Sequence, residues 1–180
     1  MPSLETIVVF YPERLVEKDG VLSLDSLKAM GAGRDREAFF EMTRSVAPTD
    51  VVTIVYTSGT TGRPKGALVT HGMFFWNAVN IGNAVGLTST STNLNVLPTF
   101  HTGGLNLYTT PCLHLGARSI NMREFDPNRV LHWLTSGEVT HFFGVPAIYQ
   151  FLAEHPDWTG ADLSKVTSWA CGGAPMPVAL

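Results

Sequence analysis

Within the eleven residues YTSGTTGRPKG, Tyr56 to Gly66, Thr57, Ser58, Thr60 and Thr61 supply four aliphatic hydroxyls, and Gly59, Gly62 and Gly66 three glycines. Arg63 and Lys65 add positive charge, and the stretch follows directly on the apolar run VVTIVY. Glycines let backbone N–H groups converge on one point without side-chain obstruction. With hydroxyl donors and a mobile lysine beside them, such a loop matches the oxygens of a polyphosphate. It is not a Walker A loop: counted from Gly59, Pro64 takes the place of the second glycine, and Gly66 follows Lys65 where Ser or Thr is needed. A G-x-G-x-x-G dinucleotide loop fails as well. An ordinary polar connection requires none of this density.

Two later stretches carry further candidates: LPTFHTGGL, Leu97 to Leu105, and CGGAP, Cys171 to Pro175. Taken alone, His101 stands at a strand-to-helix junction and is open to a structural or capping role, and Gly172 to Pro175 read as a tight strand-to-helix turn. In order and rough spacing, the three segments together resemble the adenylate-forming superfamily, which includes acyl-CoA synthetases, aryl-CoA ligases, luciferases and peptide-synthetase adenylation domains. The resemblance covers nearly the whole chain and is most specific at Tyr56 to Gly66. It implies a reaction in which a carboxylate and ATP form an acyl-adenylate and pyrophosphate; in the CoA ligases a thiol then displaces AMP. It further implies that Thr57, Ser58, Gly59, Thr60, Thr61, Gly62 and Lys65 hold the ATP phosphates, neutralising repulsion and stabilising the leaving group. His101 would act as a gate or polar contact near the acyl group, making Lys65 and His101 the catalytic candidates. The backbone of Gly172, Gly173, Ala174 and Pro175 would line the adenine and acyl side. The implied partners are ATP, magnesium, coenzyme A as co-substrate and a small carboxylic acid, with GGAPMP and PTFH leaning toward a medium or long apolar acid. No metal ligands are assigned to this chain.

The elements that must position these groups alternate. LETIVVF reads as a short strand, and Ser23 as the N-cap of a helix through SLDSLKAM that Gly31 and Gly33 stop. DREAFFEMTRSV reads as another helix. VVTIVY is a continuous β-branched run and reads as a strand buried on both faces. HGMFFWNAVNIGNAVG reads as a helix, begun by Thr70 and His71. LNVLP, ARSINM, VTHFFG and VTSWAC read as strands. GGLNLYTTPCLHLG reads as a helix disturbed by Pro111, and DPNRVLHWLTSG as one capped by Asp126, started by Pro127 and closed by Gly137. VPAIYQFLAEH is a further helix. The βαβα rhythm predicts an α/β fold with a largely parallel sheet. PMPVAL offers a proline-initiated first helical turn.

With 180 residues and a formal charge of −3, and a pI near 6.0, the chain shows no basic stripe and is read as no nucleic-acid binder. No stretch is long and apolar enough to span a bilayer and no signal peptide is visible, so a cytoplasmic location is expected. Cys112 and Cys171 match no metal or redox spacing and are read as buried thiols. His114, His132, His141 and His155 share no metal spacing. Phe74, Phe75, Trp76 and Trp169 are read as packing residues. The superfamily's magnesium-linked glutamate, ribose-binding aspartate and C-terminal catalytic lysine have no counterpart here. Residues 1–180 are therefore expected to be a partial AMP-binding (adenylation) domain without its upstream part and C-terminal lid domain. Such a piece is expected to be inactive alone and to self-associate through exposed cut surfaces. The rivals are a non-catalytic nucleotide-binding or interaction module and a P-loop phosphotransferase, the latter disfavoured by Gly66.

Overall fold

The computed structural model describes residues 6–11, 19–57 and 62–178. The chain divides into two units, Met1–Val46 and Ala47–Leu180. In the first, β1 (Ile7–Val9) pairs in parallel with β2 (Val21–Ser23). The helices α1 (Leu24–Gly31) and α2 (Arg36–Ser45) follow. Ser23 caps α1, its hydroxyl accepting from Ser26 N at 3.0 Å, and Asp35 caps α2 by accepting from Glu37 N at 2.8 Å. Each cap satisfies a backbone N–H that the helix leaves without a partner.

The second unit opens with an antiparallel hairpin of β3 (Val51–Thr57) and β4 (Lys65–Thr70). The β-branched run forms its strand as expected, but it is not buried on both faces: Val51, Val52, Ile54 and Tyr56 are exposed. Branched side chains dictate extended backbone, whereas two-sided burial needs a layer over each face, and this sheet is one hairpin. Thr70 caps α3 (His71–Val85), accepting from Met73 N at 3.3 Å, and Gly86 closes it in the left-handed conformation. Phe75 and Trp76 are exposed on α3, contrary to the packing role expected of them.

A four-stranded parallel sheet follows, in the order β6 (Arg118–Asn121), β5 (Thr92–Asn95), β7 (His141–Gly144), β8 (Ser168–Cys171). The largely parallel α/β expectation holds here. Helices α6 (Pro127–Thr135) and α7 (Pro146–Ala153) connect its later strands. Asp126 caps α6 by accepting from Asn128 N and Arg129 N, with Pro127 at its first position. The helix expected across Gly103 to Gly116 is in three parts: α4 (Thr102–Gly104), a π-helical turn (Leu105–Thr109) and α5 (Thr110–Leu115). Pro111 has no N–H, and its ring would clash with the carbonyl four residues back, so the chain widens just before it.

Strand alternation gives the sheet two unlike faces. On one, Ile120, Leu94, Phe142 and Trp169 stand in register. Leu94 and Phe142 are fully buried there with Val130 and Leu134 of α6 and Leu152 of α7. On the other face the in-register row is Ser119, Asn93, His141 and Ser168. A smaller cluster of Leu87, Tyr108 and Cys112 packs against Phe143 and Ala170 of this face. Cys112 is buried as expected and Cys171 is exposed, because it lies at the strand's end rather than under a helix. Pro175 to Pro177 are not helical, so the expected helical turn does not form within the described residues. Among the described residues no helix is long and apolar enough to cross a membrane.

Candidate active site

The chain leaves β5 at Asn95, whose side chain organises the exit. Asn95 Oδ1 accepts from Leu97 N at 3.1 Å, and its Nδ2 donates to Gly104 O at 3.2 Å and Asn121 Oδ1 at 2.9 Å. His101 N donates to Pro98 O at 3.1 Å, turning the chain into α4. Gly104 is packed so closely at this turn that a Cβ would fall on the carbonyl oxygens of Pro98 and Leu97. Only glycine permits that approach.

His101 is the N-cap of α4: its Nδ1 accepts from Gly103 N at 3.0 Å. An accepting Nδ1 places the neutral ring's proton on Nε2. The capping role raised by the sequence is therefore real, and it coexists with a second one. His101 lines a cavity of about 570 Å³ together with Leu97, Asn106 and Leu107. Phe143 and Val145, two apart along β7 and its exit, form another wall, and Gly172 and Gly173 a third. A Cβ on Gly172 would sit 3.1 Å from Cζ of Phe143, and Gly173 has φ +84°, so both positions favour glycine.

This cavity lies at the carboxyl ends of β5, β7 and β8. Successive strands run from β5 outward to β6, then back to β7 on the other side of β5. The crevice beside such a reversal is where open parallel sheets take ligands. Two of the three sequence segments thus meet: His101 with Gly172 and Gly173, although Ala174 and Pro175 do not line the cavity.

The third segment is the hairpin tip. Thr57 ends β3 opposite Lys65, the first residue of β4, and Gly62 takes φ +80° between them. Ser58, Gly59, Thr60 and Thr61 lie outside the described residues. Thr57, Gly62 and Lys65 do not line the cavity. Among the described residues neither Arg63 nor Lys65 makes an ion pair.

Sequence reasoning missed Asn77, Asn106, Leu107 and Phe143. Asn106 lies five residues after His101, a spacing that shares a face once a π turn intervenes. The signal for that turn was Pro111. Asn77 lies on α3 and reaches the same wall, its Nδ2 donating to the backbone oxygen of Asn106 at 2.6 Å.

Behind the cavity, His141 is buried, with Nε2 3.1 Å from Val85 O and Nδ1 2.8 Å from Thr140 Oγ1. Burial holds its pKa below the ordinary imidazole value, partly opposed by the Val85 carbonyl. Burial likewise pushes the Cys112 thiol up to about 11. Both are neutral supports of the polar face. His114, His132, His141 and His155 join no metal-binding group, and the described residues contain no cluster of three His, Cys, Asp or Glu side chains fit to hold a metal.

The family model for AMP-binding enzymes matches residues 7–180. A feruloyl-CoA synthase of an Amycolatopsis species is 45% identical over 131 residues, covering 73% of this chain and 27% of that protein. An indoleacetate–CoA ligase of Aromatoleum aromaticum is 39% identical over 132 residues, covering 73% and 26%. The chain thus spans about a quarter of the length of these curated relatives. Among solved structures, a malonyl-CoA ligase in a ternary product complex with methylmalonyl-CoA and AMP superposes with a TM-score of 0.76 at 25% identity, covering 97% of this chain and 37% of the other. The chain belongs to the AMP-binding enzyme family, within the adenylate-forming superfamily of acyl-CoA synthetases and ligases.

Proposed function

We propose that the full-length protein is an ATP-dependent carboxylate–CoA ligase, to which these 180 residues contribute the phosphate loop and one side of the acyl pocket. The observation that carries this reading is the convergence of His101 with Gly172 and Gly173, which stand 71 and 72 positions further along the sequence, on one cavity at the strand ends. In the proposed reaction a carboxylate oxygen attacks the α-phosphorus of ATP, the bond to the β-phosphate oxygen breaks, and pyrophosphate leaves. The thiolate of CoA then attacks the acyl carbon and AMP departs. Lys65 and the N–H and hydroxyl donors of Thr57 to Gly62 would bear the charge that builds on the leaving pyrophosphate. His101, with its Nε2–H free of the cap, would contact the carboxylate or the phosphates, and the backbone of Gly172 to Pro175 would border the acyl and adenine groups. Magnesium would accompany ATP; the described residues offer no cluster to hold it, so no step on this chain is routed through it. Stabilising the transition state needs groups on several sides of the phosphorus, and the 180 residues alone are accordingly proposed to be inactive. The names of the two relatives given above, a feruloyl-CoA synthase and an indoleacetate–CoA ligase, support an aromatic or other largely apolar acid.

The test is ATP–pyrophosphate exchange by the full-length protein across a panel of aromatic and aliphatic carboxylic acids, followed by thioester formation with CoA. Exchange that depends on one class of acid supports the reading. ATP binding without exchange for any acid would establish instead a nucleotide-binding module without catalysis.

A further inference from the structure

Two walls of the cavity leave the same end of the sheet. Phe143 and Val145 belong to β7 and the turn that leads into α7, whereas Gly172 and Gly173 follow directly on β8. The β7–β8 ladder ends at the pair Gly144 and Cys171. Beyond that rung no strand pairing fixes the distance between the two walls. Among the described residues β8 is also an edge strand, with β7 its one neighbour. Tyr149 crosses this end of the ladder. It stands in the first turn of α7, its N–H donating to Val145 O at 3.4 Å. Its ring passes so close to Gly144 that a Cβ there would lie 3.2 Å from Tyr149 Cε2. Its hydroxyl donates to Ala170 O at 2.7 Å. Phe142 and Trp169 hold the ring from the sides, with centroids 5.8 and 6.3 Å away. Burial raises the phenol's pKa above its ordinary value, with smaller contributions from Cys171 and Tyr108, so the hydroxyl stays a donor near neutral pH. Tyr149 does not itself line the cavity.

We propose that Tyr149 is a positioning residue for this site: its hydroxyl, bonded to Ala170 O beside the last rung of the β7–β8 ladder, fixes the Gly172–Gly173 wall against the Phe143–Val145 wall. The inference rests on the ligase reading above, in which the backbone after β8 borders the acyl and adenine groups. That wall has no side chains of its own with which to anchor itself, and Gly173, at φ +84°, adds backbone freedom. Its placement is set by Ala170 and Cys171, the residues from which it leaves the strand. A small misplacement of groups that border a substrate weakens catalysis without unfolding the protein. One hydrogen bond between neutral groups corresponds to a factor of about two to ten. The loss should fall on the KM for the acid more than on kcat, because Lys65 begins β4 and is not carried by β7 or β8.

The experiment measures ATP–pyrophosphate exchange by the full-length protein and by its Tyr149→Phe variant, with the KM for the acid that the native protein uses best read separately from kcat. Amide hydrogen exchange is followed in parallel by mass spectrometry. The expected result is a KM raised about two- to tenfold, a smaller change in kcat, and faster amide exchange confined to the segment from Ala170 to Gly173. A donor restored in place by 4-aminophenylalanine at position 149 should bring both readings back toward the native values. Val130→Ala, in the core under α6, should lower the melting temperature and leave the KM unmoved. An unchanged KM in Tyr149→Phe overturns the inference, as does a raised KM that Val130→Ala reproduces or that lacks the local quickening of amide exchange. A Tyr149→Phe variant that does not fold also overturns it, since the hydroxyl would then serve stability and not position. Pyrophosphate exchange by the native protein with no carboxylic acid overturns the ligase reading and this inference with it. Pyrophosphate exchange with an unmoved KM in Tyr149→Phe overturns the inference alone.

Discussion

The two faces of the parallel sheet use the same four strands for opposite ends. Toward α6 and α7, Leu94 and Phe142 are fully buried among aliphatic and aromatic neighbours, with Trp169 and Ile120 beside them in register. Toward α3 and the π-helical turn, the same strands present Asn93 and His141, flanked by Ser119 and Ser168. The first face gains the transfer free energy of buried hydrocarbon. The second forgoes part of it and leaves Asn93 Oδ1 and Ser119 Oγ buried without partners among the described residues. One residue pair further along, that face runs out at Asn95, Phe143 and the cavity. Stability is concentrated on the side remote from the site, and polar groups are concentrated on the side that builds it.

Truncation on the apolar face should therefore have the largest effect. Phe142→Ala removes a side chain with no solvent exposure and should cost about 3–5 kcal/mol, measured as a shift in urea unfolding. A loss under about 1 kcal/mol would mean that this face is not the structural core.

The four parallel strands were legible in the sequence from the βα rhythm, but the strand read as LNVLP forms over Thr92–Asn95, and the division between its faces was not read from it. Asp126–Pro127 marked the start of α6 because a side-chain acceptor and a ring without N–H suit the first turn of a helix. Other features depend on contacts that lie far apart in the chain. Nothing local in VVTIVY says whether a layer covers each face, and the strand proved exposed. Cys171 followed the same pattern: its residue type suggested burial, but its place at the end of β8 decided exposure. Of the cavity lining, His101 and Gly172–Gly173 stand in segments singled out in the sequence, whereas Asn106 and Phe143 depended on a π turn and a strand crossover.

On the polar face, Gly104→Ala should have an intermediate effect. The new methyl group would collide with the carbonyls of Leu97 and Pro98, an overpacking expected to cost about 1–3 kcal/mol. It would also displace His101 and Asn106 together, so acid-dependent turnover should fall by more than the stability change alone explains. Turnover that tracks the folded fraction would show that the turn serves packing only.

The smallest effect should come from His141. Because burial depresses its pKa in the folded chain, the ring is neutral in both states only well above the ordinary imidazole value of about 6.5. As pH falls below that value the unfolded chain takes up the proton first. Stability should then decline until the folded-state pKa is passed, by at most about 1.4 kcal/mol per pH unit from this one group. His141→Gln should flatten that part of the stability–pH curve measured between pH 7 and 5. A curve of unchanged slope would remove His141 from the account.

The central claim, that the Tyr56 to Gly66 loop holds the phosphates of ATP, is tested most directly by ATP–pyrophosphate exchange in the Lys65→Ala variant of the full-length protein, with folding checked by circular dichroism. Lys65 makes no ion pair among the described residues, so its removal should leave the fold intact. A charge-assisted contact to phosphate is worth about 1.5–3 kcal/mol, which predicts a loss of exchange rate of at least about tenfold. Exchange at the native rate, in a variant folded like the native protein, would contradict the assignment.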